Sequence, residues 1–221
     1  MITQLIYDAV LTLAYPQACA ICGGSVEQRK FGVACESCWI ATKIFNTDDA
    51  DELHDRALRA VGFYEGALRE TVLLLKRQPY LCAHVAELLV AVATREPLNT
   101  STVIVPVPLH DDRMRSRGFN QASIVAQALA KSLRLPVDET SLRRISSSEK
   151  YRAGLDARGR METVSGAFEV RHPRLVADEN VLLVDDVFTT GATVSACSAA
   201  LKEAGAKEVF VLTIARARNQ V

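Results

Sequence analysis

The sequence lacks an excess of charge of either sign. It holds 26 Lys and Arg residues against 26 Asp and Glu residues, so its formal net charge at pH 7 is zero. A chain without a net positive charge has no overall attraction for nucleic acid or for an anionic membrane surface. Any such partner must therefore be bound by a local cluster of basic side chains.

Long apolar stretches are missing as well. No run approaches the roughly 18 apolar residues that indicate a membrane-spanning helix, and residues 1–10 lack the basic start and cleavage site of a signal peptide. We therefore predict a cytoplasmic protein without integral membrane association. Apolar residues at helical spacing between Ile2 and Leu13 predict an amphipathic helix, stopped by Pro16, that packs on the protein or, as the alternative, docks a partner or a membrane.

The sequence has no internal repeat and no low-complexity segment. Hydrophobic residues make up 49% of its 221 positions, enough for one mid-sized core with a small accessory module. An acidic, polar segment at 46–52 indicates a linker or an exposed loop. Apolar patterning predicts strands at 57–63, 102–108, 181–184 and 209–214, and helices at 66–76, 81–94, 121–130 and 193–204. This alternation predicts an α/β fold in which helices cover both faces of a parallel sheet.

Four of the six cysteines form two closely spaced pairs. They are Cys19, Cys22, Cys35 and Cys38, in a C-x2-C, x12, C-x2-C array. This spacing lets four thiolates surround one tetrahedral ion, so it predicts a structural zinc site with no open position for catalysis; packing cysteines and a redox pair are the alternatives. Cys82 and Cys197 lie in helix-like stretches and are predicted to be core residues.

The stretch VLLVDDVFTTGAT, at 181–193, joins an aliphatic strand to acidic, hydroxyl and glycine residues. Ligands of parallel α/β sheets bind beyond the carboxyl ends of strands, where Asp185 and Asp186 are predicted to lie. Their carboxylates can accept hydrogen bonds from ribose hydroxyls, while the amides and hydroxyls of the following residues, Thr189, Thr190, Gly191, Ala192 and Thr193, can hold a phosphate. An acidic pair alone would also fit an ordinary helix cap.

The whole thirteen-residue stretch resembles the phosphoribosyl pyrophosphate (PRPP) motif of type I phosphoribosyltransferases. Together with the cysteine array, Tyr64-x-Gly66, VPVPL at 105–109, RGFNQ at 117–121 and GAF at 166–168, it makes the chain similar to the ComF family of competence-associated, phosphoribosyltransferase-like proteins. The resemblance implies a type I phosphoribosyltransferase fold, with a central parallel sheet flanked by helices and a small N-terminal zinc-binding module built on the four cysteines. The implied domains are 1–50, the N-terminal helix and zinc module, and 51–221, the phosphoribosyltransferase-like domain.

The resemblance also implies roles for basic residues. Arg113, Arg115 and Arg117 follow the strand at 103–108 and become candidates to bind the pyrophosphate of PRPP together with Mg²⁺, since guanidinium groups bind phosphate oxygens bidentately. A solvated basic turn is the alternative. Lys76 is a further pyrophosphate candidate, and Asp185 and Asp186 are the catalytic candidates.

The segment from Leu142 to Phe168 has little hydrophobic periodicity and is predicted to be a long loop, either a functional lid or a plain surface loop. Its candidate ligand-binding residues are Lys150, Arg152 and Arg158. Many relatives carry T-x-x-Q and an Asn in this loop, whereas this chain has Glu149, Arg152 and Thr163. We therefore expect loop closure, acceptor choice or catalytic strength to differ.

The sequence supports two different functions. The first is Mg²⁺-dependent transfer of a phosphoribosyl group from PRPP to an unidentified acceptor. The second is non-enzymatic sensing of PRPP or nucleotides, or handling of single-stranded DNA in natural transformation, where the arginines at 113–117 and 143–160 would bind phosphates and competence proteins would be partners. A second copy of the chain, in a homo-oligomer, is a further candidate partner.

Overall fold

The computed structural model describes residues 17–45, 57–145 and 167–218. The predicted N-terminal helix and the predicted linker at 46–52 lie outside these ranges. The same is true of the loop candidates Lys150, Arg152 and Arg158, and of the atypical Glu149 and Thr163.

The described residues alternate between helices and strands as predicted. The helices are α1 (Glu36–Ile40), α2 (Gly66–Leu75), α3 (Ala83–Ala93), α4 (Asp111–Arg117), α5 (Gln121–Leu133) and α6 (Ala192–Glu203). The strands are β1 (Leu58–Phe63), β2 (Val103–Pro106), β3 (Leu142–Arg144), β4 (Phe168–Val170), β5 (Asn180–Phe188) and β6 (Glu208–Arg216). None of the helices in these ranges is both long and apolar enough to cross a membrane.

Four strands form a parallel sheet in the order β1-β6-β5-β2. All its carboxyl ends therefore lie at one edge, and the predicted α/β architecture is confirmed. Alternate residues of β5 are buried on opposite faces. Leu182 and Val184 pack with α2, α3 and α5, whereas Val181 and Leu183 pack with α6 and with the pair β3–β4.

The N-terminal module packs on the α3 side of the sheet. The rings of Phe31 and Trp39 make edge contacts with His84 of α3, at centroid distances of 5.1 and 4.7 Å. The indole Nε1 of Trp39 donates to the carbonyl of Phe31 at 2.9 Å. The module and the sheet therefore share one hydrophobic cluster.

Three element predictions need correction. The strand predicted at 181–184 continues to Phe188, because residues up to Phe188 keep their pairing with β6. The segment after β2, predicted to be a basic turn, contains α4, which is capped by the His110 side chain at Asp112 N and ended by the left-handed Gly118. The two ends of the predicted long loop form β3 and β4, which pair in antiparallel fashion.

Candidate functional site

The two aspartates lie within β5, beyond the end of its neighbour β2. The last paired residue of β2 is Pro106, opposite Val184, so β5 runs on from Asp185 with β6 on one side only. Because side chains alternate along a strand, Asp186 is directed to the face of α2 and Asp185 to the face of α6. The carboxylates that the sequence places side by side therefore belong to opposite faces of the sheet.

Asp186 is buried beside a lysine. The residue is 6% exposed, and its Oδ2 lies 3.3 Å from the Nζ of Lys76, which directly follows α2. Oδ1 accepts a hydrogen bond from the Val187 amide at 2.8 Å. Oδ2 receives no hydrogen bond of suitable geometry from the described residues, so its contact with Lys76 is mainly a charge interaction. The Lys76 side chain is 36% exposed and can also reach a ligand.

Asp185 has an unusual proton affinity. Part of the residue is exposed, yet its carboxyl group lies among protein atoms, and its Oδ1 accepts from the Asp186 amide at 2.8 Å. Burial, and then repulsion by Asp186, raise the pKa of Asp185 well above its usual range, while Lys76 opposes the shift. Burial and the charge of Asp185 likewise raise the pKa of the Cys197 thiol of α6. This interaction agrees with Asp185 lying on the α6 face.

The turn from β5 to α6 lets a ligand approach the backbone closely. Gly191 has φ +79° and directly precedes the first residue of α6. A Cβ atom there would lie 2.9 Å from Cζ of the Phe188 ring, so a larger residue would strain the backbone and displace the ring. Thr189 and Thr190 are exposed, and the first-turn amides of α6 have no carbonyl partner within the helix. Such amides favour an anion.

The three arginines predicted to bind pyrophosphate do not share one side of α4. At 100° per residue, Arg113 and Arg117 lie on one side, and Arg115 lies on the other. Arg115 is 73% exposed and pairs with Asp112 of the same helix. Arg117 donates to the buried Gln121 side chain. The structure thus keeps Arg117 near the start of α5 and directs Arg115 to solvent.

The RGFNQ segment has a clear local structure. Gly118 ends α4 with φ +80°. The Asn120 side chain caps α5 by accepting from the Ala122 amide at 3.0 Å, and its Nδ2 donates to the Val107 carbonyl at 3.0 Å. This motif therefore fixes the chain that leaves the carboxyl end of β2.

Two arginines of β3 contact neighbouring elements on the α6 and α4 sides of the sheet. Arg143 contacts Asp111 of α4 at 3.0 Å, which ties the pair β3–β4 to the basic helix. The Arg144 guanidinium lies 5.5 Å from the Phe168 ring centroid, and its charge lowers the pKa of Cys197, opposing Asp185. The sequence places Arg144 in the basic stretch 143–160 but does not single it out, because it is one of many arginines in a non-periodic segment.

The four predicted cysteine ligands come together. Their Sγ atoms all lie within 4.8 Å of one another, and those of Cys22 and Cys35 are 3.7 Å apart. A tetrahedral ion with bonds of about 2.3 Å to sulfur places its ligands about 3.8 Å apart, so the cluster could bind a metal ion. Cys82 and Cys197 are buried in the core, as predicted.

The thiols of this cluster differ in acidity. Burial alone raises the pKa of Cys19, but the amides of Cys22, Cys35 and Ile21 outweigh it and lower that pKa to about 6. Burial and the neighbouring thiols raise the pKa of Cys38 to about 12. A metal ion bound by the four thiolates would displace these protons.

Comparisons with known proteins agree with this architecture. The phosphoribosyl transferase domain model matches residues 114–220. Competence protein F of Haemophilus influenzae is 35% identical over 126 residues, covering 54% of this chain and only 52% of that protein. DNA utilization protein YhgH of Salmonella typhimurium is 31% identical over 216 residues, covering 93% of both chains.

Among solved structures, glutamine PRPP amidotransferase from B. subtilis has a TM-score of 0.39 and 20% identity, covering 58% of this chain and 26% of that one. A likeness this low carries no weight for function. The match to YhgH covers nearly the whole length of both chains, and this chain combines a phosphoribosyl transferase domain match, a parallel sheet and four clustered cysteines. The protein therefore belongs to the ComF family of phosphoribosyltransferase-like proteins, with a type I phosphoribosyltransferase fold.

Proposed function

We propose that the protein binds PRPP at the carboxyl end of β5 and transfers its phosphoribosyl group to an acceptor in a Mg²⁺-dependent reaction. The observation that carries the proposal is the arrangement of Asp185, Asp186 and Lys76 directly before the glycine turn that opens α6. The family membership and the phosphoribosyl transferase domain support the same ligand.

Each end of PRPP has suitable partners. The 5-phosphate would occupy the turn from Thr189 to Thr193, where amides and hydroxyls supply donors and Gly191 leaves room. Asp185 is directed to the α6 face, so its carboxylate is suited to accept from the ribose hydroxyls of a sugar held there. Asp186 would then support the metal-bound donor from the opposite face, with Lys76 beside it.

Pyrophosphate is the leaving group and carries most of the charge. Lys76, Arg113 and Arg117 are the basic side chains that we propose for it first, because Arg113 and Arg117 share one side of α4 whereas Arg115 lies on the other side and pairs with Asp112. Mg²⁺, when bound, offsets the negative charge that grows on the departing pyrophosphate. The residues Lys150, Arg152 and Arg158 remain candidates for the loop that would exclude water.

A second candidate function is non-enzymatic. The relatives carry the names Competence protein F and DNA utilization protein, and exposed arginines lie on α4 and on β3. A non-enzymatic protein that senses PRPP or handles single-stranded DNA would use the same phosphate-binding groups. DNA binding through phosphates should weaken steeply with salt, which an enzyme for a small acceptor would not show.

We further propose that Cys19, Cys22, Cys35 and Cys38 hold one structural zinc ion. Four thiolates complete a tetrahedral site and leave no position for water, so the ion would stabilise the module without taking part in the reaction. The division into residues 1–50 and 51–221 is part of this proposal.

A pyrophosphate-release assay tests turnover directly. Full-length protein, PRPP and Mg²⁺ are incubated with bases, nucleosides and small amines as acceptors. Acceptor-dependent release that Asp185→Asn and Asp186→Asn abolish supports the transferase. The matched control is Asp178→Asn, a residue before the opposite end of β5, which should release pyrophosphate as the wild type does. Binding of PRPP without release with any acceptor favours the sensing function.

A further inference from the structure

Thr42 joins the four-cysteine module to the second helix. Its Oγ1 donates to the carbonyl of Cys38 at 2.8 Å and accepts from the amide of Ala67, in the first turn of α2, at 2.9 Å. The residue is only 6% exposed. One buried hydroxyl therefore hydrogen-bonds both the backbone carbonyl of a cysteine in the four-cysteine cluster and an amide in the first turn of α2.

This hydroxyl takes the place of a normal helix cap. Glu65 occupies the N-cap position of α2 but makes no capping bond with its side chain, and its carboxylate pairs instead with Arg218 at 3.0 Å. The first-turn amides of a helix need an external acceptor. Thr42, 25 residues away from Ala67 along the chain, supplies one for α2.

The backbone around Thr42 is held tightly. Gly66 has φ +51°, and a Cβ atom there would lie 2.5 Å from Thr42 Oγ1. A Cβ atom at Gly62 would lie 2.5 Å from the carbonyl of Lys43, and the Phe45 amide donates to the Val61 carbonyl at 2.8 Å. The segment that leaves the cysteine module therefore has little freedom to move against β1 and α2.

The opposite end of α2 is at the proposed PRPP site. Its ten residues span about 15 Å and end just before Lys76, whose Nζ lies 3.3 Å from Asp186 Oδ2. Leu68, Val72 and Leu75 of this helix are fully buried. Because a buried helix shifts as a rigid element, displacing its first turn also displaces Lys76.

We infer that Thr42 is a positioning residue that couples the four-cysteine cluster to the proposed PRPP site. A metal ion bound by Cys38 fixes the Cys38 carbonyl, Thr42 passes this constraint to the first turn of α2, and α2 holds Lys76 against Asp186. This inference rests on the proposed function, since it concerns affinity for PRPP. Coupling between two sites is reciprocal, so PRPP must tighten zinc binding by the same factor as zinc tightens PRPP binding.

The first test compares three variants of the full-length, zinc-loaded protein with the wild type. Calorimetry with PRPP and Mg²⁺ is performed on wild type, Thr42→Val, Thr42→Ser and Thr94→Val. Thr94 is a matched control, because its hydroxyl also donates to the carbonyl of the residue four positions earlier. Among the described residues, this hydroxyl connects to no second helix or strand. We expect Thr42→Val to weaken PRPP binding at least about fivefold, with Thr42→Ser and Thr94→Val close to wild type.

The second test needs no variant that could fail to fold. Zinc transfer from the wild-type protein to a chelating dye is followed with and without PRPP and Mg²⁺, and we expect PRPP to raise the zinc affinity at least about fivefold. Unchanged zinc affinity, or equal PRPP affinity in Thr42→Val and wild type, overturns this inference alone. If wild-type protein does not bind PRPP, the proposed function and this inference both fall.

Discussion

Lys76 Nζ lies 3.3 Å from the buried Oδ2 of Asp186, which joins the end of α2 to the carboxyl end of β5. Asp186 is only 6% exposed, so its carboxylate contacts little water and lies beside the Lys76 ammonium group. The contact places a basic and an acidic group at the point where we propose that PRPP binds.

Lys76→Met should therefore weaken both stability and binding. Removing the partner of a buried carboxylate costs several kcal/mol, but the Lys76 side chain is partly exposed, so we expect a loss of about 1–2 kcal/mol in the free energy of unfolding. Urea titration measures this loss, and calorimetry measures the loss of PRPP affinity. Lys131→Met, on the exposed side of α5, is the control and should change neither. An unchanged PRPP affinity in Lys76→Met would remove Lys76 from the site.

Gly191→Ala should destroy ligand binding at moderate cost in stability. The new methyl group combines a left-handed φ with a contact 2.9 Å from the Phe188 ring. Gly205→Ala is a close control, because Gly205 also has a left-handed φ but its Cβ would meet Ala177 at an ordinary 3.5 Å. Gly205→Ala should lose about 1 kcal/mol of stability and Gly191→Ala more, because of its added ring contact, and only Gly191→Ala should lose the melting-temperature shift caused by PRPP. Equal shifts in both would contradict the proposed phosphate cradle.

Asp185→Asn should have a higher free energy of unfolding than the wild type, by an amount that grows as pH rises. A carboxyl whose pKa is raised by folding binds more protons in the folded state, so it lowers the free energy of unfolding as pH rises from the ordinary Asp value through the raised one. Asparagine has no such titration and can still accept from the Asp186 amide. Urea unfolding of both proteins between about pH 4 and pH 8 should show a gain for the variant that grows with pH. A constant or reversed difference would show that Asp185 is not held in a charge-disfavouring environment.

Cys38→Ser should release the metal and loosen the N-terminal module. Loss of one of four ligands opens the tetrahedral site, so zinc content by dye titration should fall well below one ion per chain, with a lower melting temperature. Cys197→Ala removes a buried thiol outside the cluster and should keep its zinc. Full zinc content in Cys38→Ser would contradict the assignment of the four ligands.

Much of the sheet could be predicted from the sequence, because buried parallel strands have continuous apolar runs. The end of β5 could not: Asp185 to Phe188 remain in the strand only through pairing with β6, a contact between distant parts of the chain. The opposite orientation of Asp185 and Asp186 follows from that extension, since side chains alternate only while the strand continues.

Helix α4 has no buried residue, so hydrophobic periodicity had no signal there. Its ends did carry signals, with Asp111 and Asp112 in the first turn, two arginines in the last turn and Gly118 after it. Thr42 is different, because its partner Ala67 is 25 residues away and nothing local marks the contact. The cysteine cluster was predictable because its ligands follow a fixed spacing.

Calorimetric titration of the full-length protein with PRPP in the presence of Mg²⁺ decides whether the carboxyl end of β5 is a PRPP site. We expect saturable binding of one PRPP per chain, competition by ribose 5-phosphate, and loss of binding in the double variant Asp185→Asn, Asp186→Asn. No binding by the wild-type protein, or equal binding by the double variant, would contradict it.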